Sequence, residues 1–110
     1  MTSQDFAQVV RSRLGKIEAT LIAKADEYAR GDRLSNFKKI AAFRGVTAED
    51  ACMGLVIKHI AALDDFIADL DKGTMQPYAR WDEKLGDIVA YMVLMDALVQ
   101  ERAGQAASGA

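Results

Sequence analysis

An all-α fold of three long helices and one short one is what this 110-residue chain predicts, and three observations carry that expectation. Apolar residues recur at three- and four-residue steps through four segments. No stretch alternates apolar and polar residues as a half-buried strand would. Glycines stand where the periodic segments stop, and the connections are short, which favours a bundle of neighbouring helices.

The first helix opens at Thr2, with Asp5 three residues later in the spacing of a capping box. Its stripe runs through Phe6, Val10, Leu14, Ile17, Leu21, Ala25 and Tyr28, and Gly31 is the residue that ends it. A short helix follows, with Leu34, Phe37, Ile40, Ala41 and Phe43 as its inner face and Gly45 at its close. Thr47 and Asp50 repeat the capping-box spacing and open the third helix. Its stripe includes Cys52, Leu55, Val56, Ile60, Leu63 and Phe66 and continues to Ile67 and Leu70, before Gly73 stops it. The loop GTMQP leads to Pro77, suited to the first position of the fourth helix, which runs to about Arg102. Residues 1–102 are expected to be a single helical domain. Residues 103–110, AGQAASGA, have nothing to bury and are expected to be a disordered tail.

Composition narrows the function classes. Half the residues (51%) are hydrophobic and one is proline, a balance that can bury a core. A net charge of −2 argues against a protein that coats a nucleic-acid polymer. Cys52 is alone, so neither an internal disulfide nor a cysteine-based metal site can be assembled. The N-terminus lacks a basic region followed by an apolar core, and no apolar run approaches the ~20 residues that span a bilayer. A cytoplasmic protein that does not enter membranes is expected. Residues Ile88 to Met95 are apolar on every side of a helix, so that helix is expected to be surrounded by protein. With the long first helix, this predicts a homo-oligomer formed through helix one or four.

Several polar residues do not fit this pattern. Asp87 stands one turn before Tyr91 at the entry to the apolar run, and Glu83 one turn earlier still. A carboxylate entering a buried helix needs a partner. Two carboxylates one turn apart are also a candidate pair for Mg²⁺, which takes oxygen ligands alongside waters and substrate phosphates. His59 lies on the apolar stripe of the third helix, either as a hydrogen-bonded core residue or as a functional group. Beside it, Lys58 shares a face with Gly54, Ala61 and Ala62; it either snorkels to solvent or reaches into a pocket as a phosphate-binding cation. Arg33 and Asn36 have no local capping role, and an arginine suits bidentate grip on carboxylate or phosphate. Arg33 paired with Asp87 or Glu83 as a structural ion pair is the plainer alternative. The acids Asp64, Asp65, Asp69 and Asp71 read as a solvated face.

The pattern Gly31-Asp32-Arg33-Leu34-x-Asn36-Phe37, Lys58-His59 and Trp81-x-Glu83-Lys84-x-x-Asp87 resembles a family of small phage and prophage proteins of unknown function. More distantly it is similar to phage nucleotide-modification-associated domains. Through the segment LGDIVAY it also resembles the all-α nucleoside triphosphate pyrophosphohydrolases of the MazG type. The latter are marked by a Glu-x-x-Glu pair and a Glu-x-x-Asp pair that hold Mg²⁺. Here Lys84 stands three before Asp87 and no Glu-x-x-Glu occurs, leaving Glu83 and Asp87 as the metal candidates.

The resemblance implies a phage-type protein in the host cytoplasm that binds a nucleotide or another phosphate-bearing small molecule. Arg33, Asn36, Lys58, His59 and Tyr91 would be its ligand-binding residues, and Mg²⁺ its one possible cofactor. No catalytic residue is assigned: the expected role is sequestration of a host nucleotide signal, with Mg-dependent (pyro)phosphohydrolysis as its catalytic variant. The alternative is an interaction module in which the same polar cluster is an ion-pair lock with no ligand. Arg33, Asn36, Lys58, Glu83 and Asp87 are expected to converge on one pocket. If Asp87 sits in a buried pair, breaking it would cost ~3–5 kcal/mol.

Overall fold

The computed structural model describes residues 1–23 and 31–108, and all regular secondary structure among them is helical. The helices are α1 (Ser3–Ala23), α2 (Ser35–Arg44), α3 (Ala48–Asp71) and α4 (Tyr78–Ser108), three long and one short. None is long and apolar enough to cross a membrane. The chain divides into two compact units, Met1–Arg33 and Leu34–Ala110.

In the first unit, the Thr2 hydroxyl accepts the Asp5 backbone N–H at 3.1 Å, and the Asp5 carboxylate accepts the Thr2 N–H at 3.3 Å. This is the reciprocal capping box, with aspartate in the usual place of glutamate. Phe6, Val10 and Leu14 of the expected apolar stripe are exposed. The continuation of that stripe to Ala25 and Tyr28 lies outside the described residues.

In the second unit, local signals set the helix ends. Gly45 follows α2 at φ 68°, and the Val46 N–H reaches back to the Ala41 carbonyl at 3.0 Å. The Thr47 hydroxyl caps α3 by accepting the Asp50 N–H at 3.1 Å. At the other end of α3, the Thr74 N–H bonds the Asp69 carbonyl and the Gly73 N–H bonds that of Leu70. This paired closure needs the left-handed φ of 82° that Gly73 supplies. The Pro77 carbonyl accepts from Arg80 and Trp81, so Pro77 precedes the first helical residue, Tyr78, instead of occupying that position. α4 then continues to Ser108, through residues for which fraying from position 103 was expected.

α3 packs against both α2 and α4. Leu34, Phe37, Cys52 and Leu98 form the buried centre, with Leu55, Tyr91 and Leu94 among the residues packed against it. Val56 and Cys52 are fully buried. Burial of a valine of this kind stabilises by about 1.5–3 kcal/mol. One expectation needs correction. Ile60, Ile67 and Leu70 of the α3 stripe are exposed, because α2 and α4 cover only the arc of α3 that carries Cys52, Val56 and Phe66. Met92 and Val93 of α4 are exposed.

Candidate functional site

The antiparallel α3–α4 pair brings residues of opposite sequence trend side by side. On α3, Cys52, Val56, His59 and Phe66 recur along one stripe; on α4, Asp87, Tyr91 and Leu98 do the same. At the loop end, Phe66 and Trp81 meet edge to face, ring centroids 5.5 Å apart at 61°. The Arg80 guanidinium stands 5.5 Å from the Phe66 ring centre, and the Trp81 indole N–H donates to the Gln76 carbonyl at 3.1 Å.

One step further along the pair is the polar cluster. His59 Nδ1 stands 3.4 Å from Asp87 Oδ2. It lacks the alignment of a true hydrogen bond, so the contact is a close polar approach rather than a directed bond. The imidazole stacks on the Tyr91 ring at 5.5 Å and 30°. Tyr91 also receives the edge of Phe37 from α2, at 6.5 Å and 70°. Below it the Cys52 thiol donates to the Tyr91 carbonyl oxygen at 3.6 Å. Burial, then the negative charge of Asp87, then Cys52 push the Tyr91 phenol above its ordinary pKa. Burial alone raises that of the Cys52 thiol. Both groups stay protonated at neutral pH, so neither is a ready nucleophile.

Of the seven residues singled out in the sequence, His59, Asp87 and Tyr91 come together here. Asn36, Lys58 and Glu83 are exposed. Arg33 belongs to the first unit and is described with it alone. The space expected around Lys58 has another use: a Cβ on Gly54 would stand 3.4 Å from the Arg44 guanidinium, so this glycine makes room for arginine from the end of α2. Among the described residues, no three or more His, Cys, Asp or Glu side chains gather as a metal-holding group.

A second polar cluster, which the sequence did not single out, lies where α2, the start of α3 and the end of α4 meet. Arg102 grips Glu49 with two guanidinium nitrogens, one of them at 2.9 Å. Lys38 pairs with Glu101 at 2.5 Å. These residues, with Ala48, Leu98 and Gln105, line a cleft of about 320 Å³. The hydrogen bond from Arg102 holds the Glu49 carboxyl below its ordinary pKa, and Glu49 in turn raises that of Arg102. Each cation already has a carboxylate, so the cleft is not poised to grip an added phosphate. The pairs join residues 53 and 63 positions apart, and no local motif marks them. Compared with known families, curated proteins and solved structures, the chain matches none.

Proposed function

We propose that this chain is a non-catalytic helical assembly module, in which the polar residues between α3 and α4 hold those helices in register and the exposed apolar surface receives further copies of the same chain. The observation that carries this reading is the His59–Asp87–Tyr91 contact. Three of the residues that would make a ligand pocket instead meet one another across a helix pair, at 3.4 Å from imidazole nitrogen to carboxylate oxygen and 5.5 Å between the rings. A half-buried polar contact between two otherwise apolar stripes suits the role of fixing which faces of the helices meet.

A second reading, binding of a nucleotide or other phosphate-bearing molecule, is favoured by the openness of Asp87. Its side chain is 41% exposed, leaving carboxylate oxygen within reach of a solvated ion, and the exposed Lys58 adjoins His59 in sequence. Thermal-shift measurements with nucleotides and cyclic or modified nucleotides, with and without Mg²⁺, separate the two. A ligand at 100 times its Kd stabilises by ~2.7 kcal/mol, a readily measured rise in Tm. The assembly module shows no such rise with any of them. A rise that Asp87→Asn or Lys58→Ala abolishes establishes the ligand reading in its place.

A further inference from the structure

One strip of the outward face of α3 is mostly apolar. Met53, Ile57, Ile60 and Ile67 follow one another at helical spacing and are 42–55% exposed. A row of charged and small residues flanks this seam on one side: Asp50, Gly54, Lys58, Ala61, Asp65, Ala68 and Lys72. The charges in that row run negative, positive, negative, positive, at positions 50, 58, 65 and 72. Turned end for end about Ala61, the row reads as its own opposite. Position 50 then meets 72, and 58 comes within one residue of 65. All four charged residues are exposed.

We infer that α3 pairs with α3 of a second copy, antiparallel, about a two-fold axis at Ala61. An isologous contact demands self-complementarity, because each residue meets the other copy's residue at the mirrored position. The flank meets that demand: Asp50 faces Lys72 of the second copy and Lys58 comes within one residue of Asp65, and the axis repeats both pairs. The exposed Ala61 and Ala68 let the backbones approach on that side. On the seam, Ile60 lies one residue from the axis and so comes close to its own counterpart. A helix of 24 residues is about 36 Å long, enough for both ends of the charge pattern to engage. Asp64 and Asp71 are the exposed charges on the seam itself. A polar residue there fixes register at a cost in stability, as buried polar positions do in coiled coils. The pairing rests on the assembly-module reading and names its partner: α3 of another copy, rather than α1 or α4.

Sedimentation equilibrium of the full chain tests this with charge exchange. The wild type is expected to dimerise reversibly at concentrations of tens of micromolar. Lys58→Asp sets like charges against each other twice and weakens the dimer by about tenfold. Asp65→Lys does the same. Mixing these two variants in equal amounts restores the pairing, since every contact between them is again between opposite charges. Ile60→Glu, a substitution at a surface position, abolishes the dimer, and circular dichroism checks that each variant keeps its helices. A wild type that stays monomeric overturns the inference. So does a dimer that is indifferent to Ile60→Glu, or charge variants that mixing does not rescue. None of these results bears on the His59–Asp87 contact, whose failure would be read in ligand binding and in the stability of Asp87→Asn.

Discussion

Phe66→Ala removes the side chain that joins the far end of α3 to the start of α4, and its cost can be worked from the contacts. Phe66 is 6% exposed, so nearly the whole ring leaves an apolar site. Replacing a buried phenylalanine by alanine costs about 3–5 kcal/mol, the transfer of the ring plus the cavity it leaves. The lower end applies here. Trp81 is only half-buried and Arg80 is exposed, so both can relax into the gap. Of about 3 kcal/mol, roughly 0.5–1.5 belongs to the edge-to-face contact with Trp81, beyond simple area burial. Arg80 over the ring adds about 0.5 kcal/mol, because its guanidinium is solvated. Urea unfolding of wild type and variant gives the total. Trp81 is the only tryptophan, so its fluorescence reports this corner directly, while circular dichroism follows the helices. A double-mutant cycle with Trp81→Leu, read by circular dichroism, isolates the ring pair. A cost below about 1.5 kcal/mol, or a coupling of zero, would refute the claim that this contact anchors the hairpin.

Three further outcomes are expected. Gly54→Ala raises stability by about 0.5–1 kcal/mol, since alanine is the better helix former and the flexible end of Arg44 can give way at 3.4 Å; a loss in thermal unfolding would mean that Arg44 is held rigidly. Thr47→Ala removes the hydroxyl that accepts the Asp50 N–H and lowers stability by about 1 kcal/mol, with Thr47→Ser retaining most of it in the same assay. Tyr91 keeps its proton in the folded chain beyond the pH at which an unfolded tyrosine loses it, because of burial first and Asp87 second. Its contribution is therefore complete below about pH 10 and declines as pH rises from there through the higher folded value. Urea midpoints measured across that range fall for the wild type and fall less steeply for Tyr91→Phe.

The helix ends in the second unit were legible because single residues dictate them. Gly45 and Gly73 supply left-handed turns, and Thr47 supplies an acceptor for a specific N–H. The outer limit of α4 is not, because the absence of anything to bury does not by itself end a helix. Ala103 and Ala106 are good helix formers and are exposed, and α4 continues through them. Periodicity places Ile60, Ile67 and Leu70 on the same stripe of α3 as Val56. Only neighbouring helices decide which arc is covered, so Val56 is enclosed while Ile60, four residues on, is not. The meeting of His59 with α4 followed from a polar residue on an apolar stripe that needed a partner. Arg102 with Glu49 and Lys38 with Glu101 gave no comparable sign, since an exposed charge is compatible with many partners and its choice is set by the packed geometry.

The stability of Asp87→Asn in the ligand-free protein tests the central claim most directly, that the polar cluster ties helices together. The side chains of His59 and Asp87 are 23% and 41% exposed and approach without a directed hydrogen bond, which sets the loss in the surface-pair range, about 0.5–1 kcal/mol, rather than the 3–5 expected of a fully buried pair. Urea unfolding at neutral pH is predicted to show that loss, and no loss on the same substitution when His59 is already alanine. Unchanged or increased stability of Asp87→Asn in the wild-type background would contradict the account and mark Asp87 as a residue held in readiness for a ligand.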